Sequence, residues 1–217
     1  MRGLLLDIGG VVIRTPFELM DAAEQAAGLA AGALGPRGSF TPDEDPAFQR
    51  VRGGTLRERD YWAQRAAVAA PLLGTEPDTS SFMRRLFDLP DHLVLRPEAL
   101  ALIDEAAAAG VRVGLLTNDV ASFHGDGWIE SKPFFTQVDT LVDGSVTGVL
   151  KPAADAFELG IAALGLPREE VVFVDDQPVN AAGARAVGLP TVPFDVTDPG
   201  GSVDLVRAAL GDTLQGS

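Results

Sequence analysis

The fold class that the sequence predicts is α/β: a doubly wound, Rossmann-like parallel sheet with an inserted helical domain. Short apolar runs rich in β-branched residues lack strict polar alternation, which is typical of strands covered on both faces. Helical patterns separate these runs, and strands that alternate with helices favour a parallel sheet with helices on both sides. A long stretch without strands begins near residue 15, which indicates an insertion directly after the first strand.

Each predicted strand is a short run between turn residues, and we expect strands at 4–8, 111–117, 138–142, 171–175 and 191–194. Three helical patterns separate the later strands. Each is followed by a glycine, which is common just after the last turn of a helix. These helices are expected at 97–109, 153–164 and 178–187.

The inserted stretch contains helical patterns at 17–27, 56–70 and 80–87, with a Gly/Pro-rich loop at 28–46. We therefore predict two domains, an α/β catalytic core at 1–14 and 95–217 and a helical cap at 15–94. The segment 120–135 has no clear periodicity, but it follows a strand and is expected near the carboxyl edge of the sheet. The tail after Gly211 is expected to fray.

Composition excludes several classes of function. The 217 residues contain no cysteine, so disulfides, thiolate nucleophiles and cysteine-ligated metals are excluded. A formal net charge of −14 argues against nucleic acid as a partner. The apolar run at the N-terminus meets Asp7 too soon for a signal peptide or a membrane span. We expect a cytoplasmic protein with no membrane partner, either a monomer or a homodimer.

Polar side chains follow several predicted strands at the point where each strand ends, namely Asp7, Thr117-Asn118 and Asp175-Asp176. Lys151, one of only two lysines, stands before a proline ahead of a predicted helix. The carboxyl ends of parallel strands meet at one edge of the sheet, where ligands bind. Carboxylates crowded there repel each other unless a cation lies among them, and oxygen ligands of this kind suit Mg²⁺.

Each of these groups alone has a simpler explanation. Asp7 can cap a turn, the Thr117-Asn118 pair can begin an Asx-turn, and Lys151 can be a surface residue that opens a helix. The two neighbouring aspartates can be solvated charges at a strand end. Their joint occurrence at successive strand ends favours a functional site.

Four motifs carry a resemblance to a known family, and they occur in order: LLLDIGGVV, GLLTND, GVLKP and VVFVDDQPVNAAGARAVG. The chain resembles the haloacid dehalogenase superfamily in these motifs, and the last one is close to its phosphatase-like branch. The resemblance covers residues 1–14 and roughly 95–195. The segment between them is similar to the small helical cap of the family in position and type, but hardly in residues.

The resemblance implies a Mg²⁺-dependent phosphatase that acts on a small phosphorylated substrate. Asp7 would be the nucleophile and would form an aspartyl-phosphate that water hydrolyses. Thr117 and the backbone N–H of Asn118 would bind phosphate oxygens, and Lys151 would neutralise the phosphate and the nucleophile. Backbone N–H groups of the Gly9-Gly10 turn would face the phosphate.

The resemblance also implies a metal site. Its protein ligands would be the carboxylates of Asp7 and Asp176 and the carbonyl of Gly9, while Asp175 would act through a bound water. Asn180, one helical turn past Asp176, would orient the waters on the metal.

The residue at position 9 departs from the phosphatase pattern, which normally has an aspartate there as general acid and base. Loss of such a group commonly costs a factor of about 10²–10⁴ in rate. Gly9 therefore favours substrates with good leaving groups, such as a sugar 1-phosphate, an acyl phosphate or an aryl phosphate. Two other outcomes are a substitute acid such as His124, Asp119 or a group of the substrate itself, and a weak enzyme whose site mainly binds an anion.

Two further functions stay open at this point. A 2-haloacid dehalogenase would use the same nucleophile without metal, and a non-catalytic member of the fold would only bind an anion. Other residues carry weaker signals. We expect Tyr61 and Trp62 in the core of the cap, His124 as a surface or loop-packing residue and Arg52 as a solvated charge.

Overall fold

The computed structural model describes residues 2–211 and divides them into two compact units. An α/β unit comprises the described residues up to Ile13, residues 95–121 and the chain from Gly125 onward. A helical unit comprises residues 14–94 and 122–124. Its role as a cap stays a prediction. The tail after Gly211, which the sequence predicts to fray, lies outside the described residues.

The α/β unit contains a five-stranded sheet whose paired strands are all parallel, in the order β3-β2-β1-β4-β5. The strands are β1 (Gly3–Leu6), β2 (Arg112–Thr117), β3 (Thr140–Asp143), β4 (Val171–Asp175) and β5 (Thr191–Pro193). This sheet confirms the predicted fold class. From β1 the chain adds β2 and β3 on one side of the sheet and then β4 and β5 on the other. At such a switch in direction, the carboxyl ends of the strands form a crevice that binds ligands.

The strand register places the predicted polar residues at one level. Leu6 pairs with Leu115 on one side and with Val174 on the other. Asp7 therefore follows the last residue of the central strand, beside the last residue of β4. Farther from β4 in the same sheet, Thr117 at the end of β2 pairs with Asp143, the last residue of β3.

Helices flank the sheet and form most of the second unit. Within residues 2–211, no helix is long and apolar enough to cross a bilayer. The helices are α1 (Pro16–Ala26), α2 (Pro46–Arg52), α3 (Glu58–Leu73), α4 (Thr79–Phe87), α5 (Asp91–Val94), α6 (Pro97–Ala108), α7 (Val120–His124), α8 (Gly144–Thr147), α9 (Ala154–Leu164), α10 (Pro178–Ala186) and α11 (Pro199–Leu210).

The core of the α/β unit lies between the central strands and the α9–α10 side of the sheet. Phe157 of α9 packs edge to face on Phe173 of β4, with ring centroids 5.4 Å apart. Both rings are buried with Leu5 and Leu116 from the neighbouring strands. Burial of this apolar surface holds rigid the strands whose ends carry the site.

An aromatic cluster forms the core of the helical unit, and it confirms the prediction that Tyr61 and Trp62 are buried there. The hydroxyl of Tyr61 donates to Asp45 Oδ2 at 2.7 Å, and Arg65 donates to the same hydroxyl at 3.1 Å. Arg65 also donates to carbonyls of the 28–46 loop. These bonds fix a loop that has little secondary structure of its own.

Besides the short helices α5, α7 and α8, the structure adds two longer helices that the sequence patterns above do not include, α2 and α11. Both begin at an Asp-Pro pair in which the aspartate side chain caps the first turn. The segment 120–135, predicted without regular structure, contains α7 and part of a 3₁₀ turn at Pro133–Gln137. Short helices of this kind depend on caps and tertiary contacts rather than on a long apolar period.

Candidate active site

The turn that follows β1 holds Asp7 in a fixed orientation. The Ile8 carbonyl accepts from the N–H groups of Val12 and Ile13 at 3.0 and 2.9 Å, which closes the chain into a tight turn. Asp7 Oδ1 accepts from the Ile8 N–H at 2.7 Å. No hydrogen bond to Asp7 Oδ2 is found within residues 2–211, so this oxygen is available to a ligand.

Lys151 joins two of the predicted carboxylates. Its Nζ lies 2.9 Å from Asp7 Oδ1 and 2.7 Å from Asp175 Oδ2, and its side chain is only 1% exposed. The ammonium also lies 5.6 Å from the centroid of the Phe173 ring. The explanation of Lys151 as a surface residue that opens a helix is therefore wrong, since it is buried and α9 begins three residues later.

Asp175 is fully buried and is surrounded by donors. Its Oδ1 accepts from the Gln177 N–H at 2.8 Å, and the amide of Asn180 donates to both of its oxygens at 3.1 Å. Asn180, expected beside Asp176, thus contacts the preceding aspartate instead. With Lys151 as a further donor, Asp175 acts in this structure as the acceptor that holds the ammonium.

Asp176 completes a group of three acids with Asp7 and Asp175, whose candidate ligand oxygens all lie within 4.8 Å of one another. Asp176 is more exposed than the other two. The Gly9 carbonyl receives no hydrogen bond from residues 2–211. Three carboxylates with a single ammonium leave an excess of negative charge, so this set of oxygen donors fits a hard divalent cation such as Mg²⁺.

Electrostatics at the cluster support this assignment. The pKa of Asp7 is raised from 3.8 to about 7, chiefly by burial and also by the neighbouring charge of Asp175, against the lowering effect of Lys151. Burial lowers the pKa of Lys151, but the two carboxylates outweigh that effect and raise it above its ordinary value. The ammonium therefore stays charged, while the protein alone compensates the ionisation of Asp7 only in part.

The end of β2 brings two more predicted residues to this edge of the sheet. Thr117 is buried, and its hydroxyl has no hydrogen-bond partner among the described residues. Asn118, which follows it, does not form the Asx-turn that its sequence context allows. Its side-chain amide instead bonds the main chain of Lys151, accepting from the N–H at 2.8 Å and donating to the carbonyl at 3.0 Å.

The structure describes the surroundings of three weaker candidates. His124 packs edge to face on Phe87 within the helical unit, with centroids 4.8 Å apart, which confirms that it is a packed residue. Arg52 is exposed, as expected of a solvated charge. Asp119 immediately precedes α7.

One residue that matters to the site was not identified from the sequence. Asp143, buried at the end of β3, accepts from the Ala121 N–H at 2.7 Å and caps α8 by accepting from the Ser145 N–H at 2.8 Å. The sequence signal that could have identified Asp143 is the one used for Asp7 and Asp175, an acid at or directly after the end of a strand. Asp143 thereby fixes the loop that carries Asn118.

Comparison with known proteins gives one family. The model of the haloacid dehalogenase-like hydrolases matches residues 1–188. The phosphoglycolate phosphatase of Rhodospirillum rubrum is 26% identical over 88% of this chain and 78% of its own length. The ribulose-1,5-bisphosphate 5-phosphatase of Halopiger xanaduensis is 33% identical over 50% of this chain and 45% of its own length.

A solved structure shows the same fold. The HAD hydrolase YfnB from Bacillus subtilis bound to magnesium superposes with a TM-score of 0.64 at 15% identity, over 89% of this chain and 86% of that one. Some relatives are much longer than this chain. Acyl-CoA dehydrogenase family member 10 of Mus musculus is 23% identical over 98% of this chain, which spans only 19% of that protein.

Two adjacent glycines in the turn after β1 should respond differently to substitution. Gly10 has a φ of 75°, and a Cβ there would lie 2.6 Å from the Asp176 carboxylate. Gly9 has neither a positive φ nor any heavy atom within 4 Å of an added Cβ. We expect Gly10→Ala to lower the free energy of unfolding by about 1–3 kcal/mol and Gly9→Ala to change it by less than about 0.5 kcal/mol, measured by urea denaturation. Equal effects at the two positions would contradict this geometry.

Proposed function

Because the chain belongs to the haloacid dehalogenase-like hydrolases, we propose that it is a Mg²⁺-dependent phosphatase that acts on a small phosphorylated metabolite. The observation that carries the proposal is the buried ammonium of Lys151 between Asp7 and Asp175, with Asp176 beside them. A nucleophile, a fixed positive charge and a set of oxygen ligands for a cation thus lie at one edge of the sheet. The two phosphatases similar to this chain support the same reaction class.

Asp7 would act through the carboxylate oxygen that has no hydrogen bond. Oδ1 is held by the Ile8 N–H and by Lys151, which orients Oδ2 as the nucleophile. Attack by Oδ2 forms an oxygen–phosphorus bond while the bond from phosphorus to the leaving oxygen breaks, and its electron pair stays on that oxygen. Water then attacks the phosphorus, which releases orthophosphate and the free Asp7 carboxylate.

The charge that develops on the phosphoryl oxygens requires donors fixed in advance. Lys151 supplies an ammonium that the surrounding carboxylates keep protonated. The unpartnered hydroxyl of Thr117 and the backbone N–H of Asn118 would donate to phosphoryl oxygens. Thr117 is buried at the end of β2 and Lys151 is buried between two carboxylates, so these two donors need little reorganisation when the substrate binds.

Asp7 and Asp176 would hold the metal through their carboxylates, Gly9 through its carbonyl, and Asp175 through a bound water. When bound, Mg²⁺ would screen the Asp7 charge from the phosphate and balance the excess negative charge of the site. The raised pKa of Asp7 is consistent with a site that lacks part of its countercharge until a cation is present.

Gly9 limits the leaving group. It is exposed and an added Cβ would meet no heavy atom, so the position offers space but no proton donor. A leaving oxygen that needs no proton, as in a sugar 1-phosphate, an acyl phosphate or an aryl phosphate, would depart most readily. The ring of His124 is engaged with Phe87, so we do not assign it the role of a substitute acid.

The direct test is hydrolysis of p-nitrophenyl phosphate and a panel of small phosphate esters that includes sugar 1-phosphates. We expect turnover that requires Mg²⁺ and falls by at least about 10³-fold in Asp7→Asn, because the amide is not a nucleophile. The exposed Arg52→Ala serves as a folding control. Turnover that is unchanged in EDTA would contradict the proposal. Halide release from a 2-haloacid without Mg²⁺ would assign a dehalogenase, and orthophosphate binding without any turnover would assign an anion-binding protein.

Gly9→Asp tests the missing acid. The position has room for the side chain, so the variant should fold and should supply a proton to poor leaving groups. We expect kcat/KM for an alkyl phosphate to rise at least about tenfold relative to that for p-nitrophenyl phosphate. Gly9→Asn, of the same size but without an acid, should leave this ratio as in the wild type. A ratio that does not change in Gly9→Asp would show that the leaving group already receives its proton from elsewhere.

A further inference from the structure

The side-chain amide of Asn118 forms hydrogen bonds with both the N–H and the carbonyl of Lys151, a residue 33 positions later in the chain. Its Oδ1 accepts from the Lys151 N–H at 2.8 Å, and its Nδ2 donates to the Lys151 carbonyl at 3.0 Å. Within residues 2–211, the main chain of Lys151 makes no other hydrogen bond. We infer that Asn118 is a positioning residue whose side chain sets the place of the Lys151 main chain and, through it, of the ammonium.

The main chain of Lys151 has little other support. It lies in the irregular segment between α8 and α9, where the nearest local bond is the turn from the Ala153 N–H to the Leu150 carbonyl. A lysine side chain has several rotatable bonds, so an unanchored main chain would let the ammonium move away from its partners. A displacement of about 1 Å is enough to weaken contacts as short as the two that Nζ makes at 2.7 and 2.9 Å.

Asn118 is itself attached to a rigid element. Thr117, directly before it, is the last residue of β2 and pairs with Asp143 of β3. The Asp143 carboxylate binds the Ala121 N–H at 2.7 Å and so fixes the other end of the same loop. Next to Asp143, Gly144 has space for no side chain, since a Cβ would lie 2.9 Å from the Val149 carbonyl oxygen and 3.4 Å from the Asn118 Cα. The amide is thus presented to Lys151 from a strand end held on both sides.

This assignment differs from a role in direct substrate recognition. If the amide turned to a substrate, both polar groups of the Lys151 main chain would lose their hydrogen-bond partners, which is unfavourable for groups shielded from water. The two roles also predict different consequences of substitution. A positioning residue affects the lysine whether or not a substrate is present, and a substrate contact does not.

Because the chain contains only two lysines, the chemical reactivity of the Lys151 amine can be measured directly. The only lysines are Lys151 and Lys132, so amine acetylation followed by mass spectrometry reports on Lys151 with Lys132 as internal reference. In the wild type, Lys151 should be protected by its ion pairs and its burial. In Asn118→Ala we expect acetylation of Lys151 to rise at least about fivefold relative to Lys132, because the local segment opens more often. Gln137→Ala, which removes a surface amide that bonds Asp104, is the matched control and should leave the ratio unchanged.

Asn118→Asp keeps an acceptor for the Lys151 N–H but lacks the donor to its carbonyl, so acetylation should lie between the wild type and Asn118→Ala. This variant decides the question if Asn118→Ala does not fold, a case in which both lysines would react. A ratio of Lys151 to Lys132 acetylation that equals the wild type in the folded variants would overturn the inference.

A second experiment measures kcat/KM and rests on the proposed phosphatase activity. We expect Asn118→Ala to lower kcat/KM by about 10–100-fold in the wild type, and by less than about threefold in the Lys151→Met background. Losses that multiply in the double variant would instead assign Asn118 to direct substrate contact and overturn the inference. The acetylation arm needs no turnover, so a protein without phosphatase activity would refute the proposed function while still testing the placement of Lys151.

Discussion

The buried ammonium of Lys151 between Asp7 and Asp175 is the interaction on which the rest of the site depends. Burial of a charge in this position is costly unless it is paired, and burial of the two carboxylates is costly for the same reason. The ammonium compensates part of their charge and fixes Asp7 Oδ1. The other oxygen of Asp7 receives no hydrogen bond from residues 2–211, and under the proposed function it faces the substrate.

The sheet brings these groups together because its strands end at one level. Asp7, Asp175 and Thr117 each stand at or directly after a strand end, and parallel pairing fixes their mutual height. Lys151 comes from a segment outside the sheet, so register alone cannot place it. Its position requires a specific contact, and the amide of Asn118 supplies one. Regular structure thus places the carboxylates, and a side-chain hydrogen bond places the cation.

The strand ends could be predicted because they leave a local pattern, an apolar run that stops at a polar residue. The same pattern indicated Asp7, Thr117 and Asp175 as neighbours. The hydrogen bonds of Asn118 and Asp143 could not be predicted, since each joins residues that lie far apart in the sequence or serve a short cap with no periodic signal. The helix α2 was missed for a related reason, because its seven residues depend on the Asp45 cap and on burial of Phe48 rather than on an amphipathic period.

The central claim is that the cluster carries more negative charge than its own ammonium compensates, so that ionisation of Asp7 destabilises the metal-free fold. The most direct measurement is the free energy of unfolding of the wild type and of Asp7→Asn in EDTA, by urea denaturation from pH 5 to pH 8. The folded-state pKa of Asp7 is raised from 3.8 to about 7. The free energy of unfolding of the metal-free protein should therefore fall as pH rises from about 4 to about 7, and the full destabilisation by ionised Asp7 should be present above pH 7. Asp7→Asn should be more stable than the wild type at pH 8 by about 0.5–2 kcal/mol, and the difference should narrow at pH 5. A wild type that is as stable as Asp7→Asn at pH 8, or a difference that does not depend on pH, would contradict the claim.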